Sequence, residues 1–173
     1  MIRKANLNDL DAIEDAYNEH FQYEIDHQAY TVFKKGVYPT RADAERAIGA
    51  GAMFIYEENG LLCGSLILDK KQPVEYANIL WKADCAEREV MVIHLLMVRP
   101  QMSGRGIGSA LIKYAVEFAR NDGCKALRLD TGGQNIPAVA LYEKNEFDII
   151  MRAPKKVGDV IAHENHLFLE RGM

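Results

Sequence analysis

Three glycines at alternate positions, in Ser103-Gly-Arg-Gly-Ile-Gly-Ser109, follow a strongly apolar run and precede an amphipathic one. A strand that ends in such a turn and hands over to a helix aims unpaired backbone N–H groups and the helix N-terminus at one point. Phosphate is the natural guest there. Gly104, Gly106 and Gly108 lack Cβ atoms, so the main chain can approach a pyrophosphate closely, and Arg105 adds a local cation. The plainer alternative, a tight strand-to-helix turn, needs one such glycine more often than three. A P-loop is set aside because no lysine follows these glycines. The dinucleotide fingerprint Gly-x-Gly-x-x-Gly fits less well. Asp130 ends the next strand near the distance that motif uses, but Ser109 stands at its third glycine and little chain remains for a doubly wound sheet.

The elements that must position this turn can be read from periodicity. Residues 2–5 form a short opening strand, and Asn8 or Asp9 caps a helix marked by Leu10, Ile13, Tyr17, Phe21 and Ile25. A loop through Gly36 and Pro39 leads to Thr40, which with Asp43 forms a capping box for a second helix to about Ala50. Residues 53–56 and 61–68 read as antiparallel strands joined through Asn59-Gly60. Residues 70–87 read as a long connection with a helical turn. Residues 90–98 are apolar except for His94, as in a central strand covered on both faces. After the glycines, Ile107, Leu111, Tyr114, Ala115 and Phe118 mark a helix that ends at Asn121-Asp-Gly123. A strand at 126–130, a helix at 136–144 and strands at 147–151 and 166–169 complete the chain.

A length of 173 residues with 49% hydrophobic and 27% charged residues describes one folded α/β domain, residues 1–173, with no linker or repeat. No run of eighteen apolar residues occurs and the N-terminus enters a polar stretch, so a cytoplasmic protein without membrane insertion is expected. Cys63, Cys85 and Cys124 are odd in number and widely spaced, which fits a reducing compartment. A net charge of −4 argues against general attraction to nucleic acid, so an anionic ligand must find a local positive site. His20 with His27, and His163 with His166, lack a third ligand at useful spacing, and no metal is expected.

Met97-Val98-Arg99-Pro100 followed by Gly104-Arg-Gly106-Ile-Gly108, and then Asn135-x-x-Ala138-x-x-Leu141-Tyr142-x-Lys144-x-x-Phe147, resemble the GNAT superfamily of N-acetyltransferases. The likeness is strong over residues 90–150 and implies its fold: a mixed sheet of about six to seven strands flanked by about four helices. Two positions depart from the pattern. Ser103 stands where the family has Gln or Arg, and Glu146-Phe147 replaces its usual Gly-Phe, leaving Asn145 as the expected left-handed C-cap.

The resemblance implies transfer of an acetyl group from acetyl-CoA to a primary amine of a small molecule or peptide, by direct attack in a ternary complex. It implies that the central strand parts from its neighbour and that the pantetheine arm bonds main-chain groups near Leu96, Met97 and Val98. The pyrophosphate then falls to Ser103, Gly104, Arg105, Gly106, Ile107, Gly108 and Ser109. Asn135 would bond the arm, with helix capping as its alternative, and Tyr142 would donate to the coenzyme sulfur. A lysine-like amine, pKa ~10.4, must lose a proton before it attacks. His94 is the first candidate base, with a hydrogen-bonded core histidine as the alternative, and Glu89 is the reserve. Tyr38, Tyr76 and Trp81, with Tyr23, are aromatic candidates for the acceptor pocket, and Glu24 or Asp26 for attracting a cationic amine. A homodimer is implied by resemblance alone. A non-catalytic acetyl-CoA-binding module and, less closely, a small NAD(P)-binding oxidoreductase are the competing readings.

Overall fold

A nine-residue apolar run can bury both faces only in the middle of a sheet, and the chain places it there. The computed structural model describes residues 1–173. It holds one seven-stranded sheet in the order β1-β2-β3-β4-β5-β7-β6. The strands are β1 (Ile2–Lys4), β2 (Met53–Glu58), β3 (Leu61–Asp69), β4 (Val90–Val98), β5 (Ala126–Gly132), β6 (Asp148–Val157) and β7 (Ile161–Gly172). The helices are α1 (Leu10–Asp26), α2 (Arg41–Gly49), α3 (Ile107–Asn121) and α4 (Ile136–Lys144). Only β4 and β5 pair in parallel, with α3 as their crossover. The mixed sheet and four helices agree with the expected fold class.

Side-chain alternation along β4 sets the layers. Met91 and Ile93 pack with Leu111, Ile112 and Ala115 of α3 on one face. Val90 and Val92 pack with Tyr76, Ile79 and Phe168 on the other. Strict alternation would put Met97 on the α3 face, yet it packs with Ile13, Tyr17 and Phe21 of α1. The reversal comes from an irregularity at Leu95, whose φ of 48° is left-handed and where the β3–β4 register shifts.

Local signals were obeyed where a backbone requirement stood behind them. Asn59 and Gly60 both take positive φ, 51° and 77°, in the β2–β3 turn. The Thr40 hydroxyl accepts from the Asp43 amide, and the Asp43 carboxylate accepts from the Thr40 amide at 2.7 Å. At the first helix Asp9 is the N-cap residue, as expected, but without a side-chain cap bond, and the capping bonds form one turn earlier at Asn6. Asn6 Oδ1 accepts from the Asn8 amide at 2.9 Å and Asp9 accepts from the Asn6 amide at 2.8 Å, closing a short turn ahead of α1. After α4 the left-handed residue is Glu146 (φ 67°) rather than Asn145. The Asn145 side chain donates to the Leu141 carbonyl at 2.7 Å and to Ser109 Oγ at 3.2 Å, which holds it at the helix end and passes the turn to its neighbour.

The largest departure is the last hairpin, which is far longer than the expected strands at 147–151 and 166–169. Its outer half carries Arg152, Pro154, Lys155 and Lys156 on β6, the edge strand, where one partner and a solvated face leave no hydrophobic alternation to read. Pro154 lies where the β6–β7 register shifts, a position that needs no ladder N–H. Residues 70–87 contain one short 3-10 turn, Val74–Asn78, and a second, Glu87–Glu89, leads from them into β4. Cys63 and Cys124 are buried, and all three cysteines are free thiols. No helix is long and apolar enough to cross a membrane.

Candidate active site

Parallel pairing between β4 and β5 is confined to Val90–Val92 against Ala126–Arg128, although both strands run on, to Val98 and Gly132. Beyond Val92 they part, so that edge of β4 loses its β5 partner. The left-handed Leu95 lies in this stretch. Two cavities meet there, of about 550 Å³ and about 510 Å³, and both are lined by Ile93, Leu95, Asp130, Thr131 and Asn135.

The larger cavity runs along the end of β4 to the start of α3. Leu96, Met97, Val98, Ser103, Gly104, Gly106, Ile107, Gly108, Ser109, Asn135 and Tyr142 all line it, so the structure gathers these sequence-predicted residues around one space. Gly106 is the N-cap of α3, has φ 79°, and gives the helix no side-chain cap. The first-turn N–H groups of a fifteen-residue helix therefore open on the cavity together with the positive end of its dipole. A Cβ placed on Gly104 or Gly106 would meet no protein atom within 4 Å. These glycines keep space open and supply left-handed backbone, which is what a cradle for an anion requires. Gly108 differs: a Cβ there would lie 2.8 Å from Leu141, so its smallness lets α3 approach α4. Arg105 does not line the cavity as expected. Its guanidinium pairs with Glu58 at 2.7 Å, because the β2–β3 hairpin brings that carboxylate within reach.

Tyr142 is buried, with its ring edge-on to Phe147. Burial, reinforced by the Asp130 charge, pushes its phenol well above the ordinary value, so it stays a proton donor across the neutral range. Asn135 Oδ1 lies 3.4 Å from the Ala138 amide and caps α4 while its residue lines both cavities.

The second cavity extends from the β4–β5 gap toward α2 and the β6–β7 hairpin. His94 lines it, and its Nε2 lies 3.1 Å from Asp69 Oδ1. Burial alone would raise the Asp69 carboxyl, but the His94 hydrogen bond and charge and the Lys71 amide together bring it below its ordinary value. Asp69 is thus an anion within hydrogen-bond reach of His94 and orients that ring. Tyr38 also lines this cavity. Its ring rests on Gly158, where a Cβ would lie 2.3 Å away, so the α1–α2 loop and the hairpin tip close one wall together.

Other candidates are placed elsewhere. Glu89 lies before β4, at the end away from the gap, where it pairs with Lys125 at 2.8 Å and accepts from the Ala86 amide at 2.9 Å. Tyr76 and Trp81 line neither cavity. Tyr76 is buried against Phe168, and Trp81 stacks 4.3 Å from the Arg128 guanidinium while donating to the Tyr76 carbonyl at 3.0 Å. They cover the buried Arg128–Glu170 pair, and β5–β7 pairing, invisible in local sequence, put that pair there. Tyr23 lines the larger cavity, stacked on His27. Glu24 also lines it, but both its oxygens are committed to the Tyr30 and Thr31 amides and the Thr31 hydroxyl. Asp26 accepts from Gln22 and lines neither cavity.

Sequence reasoning missed Leu95, Thr31, Phe33 and His166 as lining residues, and had weighed Asp130 only as an acid for a dinucleotide ribose. Asp130 carried one usable signal, a charged residue closing an apolar strand.

A divergent strand pair beside an uncapped helix start defines an α/β fold whose sheet gap opens on a helix N-terminus. The model of the acetyltransferase (GNAT) family matches residues 10–147, and the chain belongs to that family. An uncharacterized N-acetyltransferase of Methanocaldococcus jannaschii is 34% identical over 95 residues, 55% of this chain, and the match spans only 38% of that relative. YhfO of Bacillus subtilis, also an uncharacterized N-acetyltransferase, is 26% identical over 85% of this chain and 89% of its own length. Among solved structures, a GNAT-family acetyltransferase from Streptococcus agalactiae superposes with a TM-score of 0.83 at 19% identity, covering 100% of this chain and 95% of that one. The Salmonella typhimurium protein yncA, solved with its cofactor acetyl-CoA, gives a TM-score of 0.71 at 19% identity, covering 99% and 92%. These two show a shared fold.

Proposed function

We propose that the chain transfers the acetyl group of acetyl-CoA to a primary amine of a small molecule or peptide, by direct attack with both substrates bound. One observation carries the reading: two cavities of different chemistry meet where β4 leaves β5, one ending on the uncapped start of α3 and the other on the His94–Asp69 pair. The residues fit the coenzyme. The open turn at Gly104 and Gly106 with the α3 N-terminus would hold its pyrophosphate, and the free edge of β4 at Leu96, Met97 and Val98 its pantetheine arm. Bound acetyl-CoA supplies an activated acyl thioester whose leaving thiol has a pKa of ~8.5.

His94 takes the proton that the amine must shed, its imidazole oriented by the Asp69 carboxylate. Tyr142 holds a phenolic proton available to the departing sulfur and, through its raised pKa, does not lose it to solvent near neutral pH. Asn135 fixes the start of α4 and thereby the height of Tyr142 two turns along.

The test is release of free thiol from acetyl-CoA with a panel of small amines, amino acids, polyamines and peptides. Acceptor-dependent release with an N-acetylated product supports the reading. Tight coenzyme binding with no turnover on any acceptor would instead identify a binding module.

A further inference from the structure

The mechanism above leaves one charged group at the junction without a task. Asp130 sits near the end of β5, lines both cavities, and keeps 13% side-chain exposure. The protein occupies only part of its hydrogen-bonding capacity. Oδ2 accepts the Tyr76 hydroxyl at 2.8 Å and Oδ1 accepts His166 Nε2 at 3.0 Å, whereas a carboxylate offers about four acceptor sites. The His166 Nδ1 lies 2.9 Å from His163 Nδ1, so the imidazole is fixed from both sides and turns its Nε2 proton to Asp130.

The charge is also incompletely answered. Lys155 is the lysine beside it, 3.6 Å from Asp130 and shared with Glu75 at 3.7 Å, while the buried Arg128 two residues back is paired with Glu170. Glu75 Oε2 has no hydrogen-bond partner of its own. Two carboxylates face one ammonium, and Asp69 and Asp159 also line the cavity that Asp130 lines. Of the other lining cations, Arg46 pairs with Asp43, and Lys71, Lys144 and Lys156 are exposed. Burial works against ionisation of Asp130, but His166, Lys155 and Tyr76 outweigh it and hold its carboxyl below the ordinary value. Pinning β7 to the Val74–Asn78 turn uses one acceptor site on each oxygen and leaves the others unassigned.

We propose that Asp130 docks the ammonium group of the acceptor at the junction of the two cavities, so that the site selects amines that are cationic at neutral pH over neutral ones. The inference rests on the transferase reading and names its acceptor class. An ammonium there has three donors for the free lone pairs of Asp130. Asp130 shares the lining of the second cavity with His94, which would remove the proton. Tyr76 and His166 are positioning residues that act through Asp130.

The test is binding of benzylamine and of benzyl alcohol, its uncharged counterpart, to the protein saturated with coenzyme A. Steady-state kinetics with benzylamine and with aniline run alongside. The wild type should bind benzylamine at least about 10-fold more tightly than benzyl alcohol. In Asp130→Asn that preference should vanish and the KM for benzylamine should rise about 10- to 100-fold. The KM for aniline and the coenzyme A affinity should hold, and Asp130→Glu should recover part of the loss. Equal binding of the two compounds to the wild type overturns the proposal without any variant having to fold. A preference that survives in Asp130→Asn overturns it as well. Failure of the transferase reading looks different: no amine in the panel then releases thiol from acetyl-CoA.

Discussion

Replacing Gly106 with alanine separates the cradle from the turn that forms it. Gly106 has φ 79°, and an added Cβ meets no protein atom within 4 Å, so the folded chain resists the change only through its backbone angle. A left-handed angle costs an L-residue about 1–2 kcal/mol. For a chain of this size that lowers the melting midpoint by roughly 2–8 °C. Gly60, in the β2–β3 turn, is a matched control: its φ is 77°, its Cβ would also meet nothing within 4 Å, and it lines neither cavity. Both alanine variants should therefore lose similar stability. Their coenzyme affinities should differ. At Gly106 the methyl group projects into the space in which a pyrophosphate would approach the α3 amides, and losing one charge-assisted hydrogen bond weakens binding by about 1.5–3 kcal/mol. That is about 10- to 100-fold in Kd, since each 1.4 kcal/mol is a factor of ten. Calorimetric titration with coenzyme A and thermal melts of the three proteins decide the matter. A Gly106→Ala protein that binds within twofold of wild type, or a Gly60→Ala protein that loses as much, refutes the argument.

Tyr142→Phe should lower kcat about 10- to 100-fold, toward the small end for acid catalysis because a thiolate leaves readily, with coenzyme A affinity unchanged in the same preparation. Equal loss in both would remove the proton-donor role. Gly158→Val should raise the acceptor KM several-fold while sparing coenzyme binding, since its side chain displaces the Tyr38 ring from the wall of the acceptor cavity alone; a parallel loss of coenzyme affinity would contradict two separable cavities. Asp9 and Asp69 are held below their ordinary value of 3.8 in the fold, Asp9 chiefly by its Arg3 hydrogen bonds and Asp69 by His94 against its own burial. The unfolded chain therefore binds protons first: this stabilisation is complete above that value and is lost as pH falls through the depressed folded values. Melting midpoints should begin to fall below about pH 6.5, because burial holds His20 and His163 below their ordinary value of 6.5 and the unfolded chain takes up those protons first. They should drop further through the carboxylate range, a second drop that Asp9→Asn should shrink. A midpoint that rises on acidification would show the sign to be wrong.

The sequence by itself settled what neighbours along the chain can settle. Gly104 and Gly106 announce left-handed backbone before a helix, Asn59-Gly60 a tight hairpin, Thr40 and Asp43 a reciprocal cap, and the Asn135–Phe147 spacing a short helix with Tyr142 on its buried side. Each rests on a dihedral preference or a three- to four-residue step, interactions that close within one turn of chain. The resemblance carried by those same motifs extended the reading to the parted strands and the coenzyme side of the site. What only the tertiary structure decided are partnerships across long stretches of chain. Arg105 was expected at a phosphate and was claimed by Glu58, and Glu89 was expected as a reserve base and was claimed by Lys125. Tyr76 gives its hydroxyl to Asp130 and lines neither cavity, while Tyr38 lines the second cavity with its ring against Gly158. The left-handed Leu95 that turns Met97 to the other face carries no glycine to announce it. A charge or a ring is satisfied by whatever group the fold brings within about 3–4 Å, and local spacing holds no record of that group.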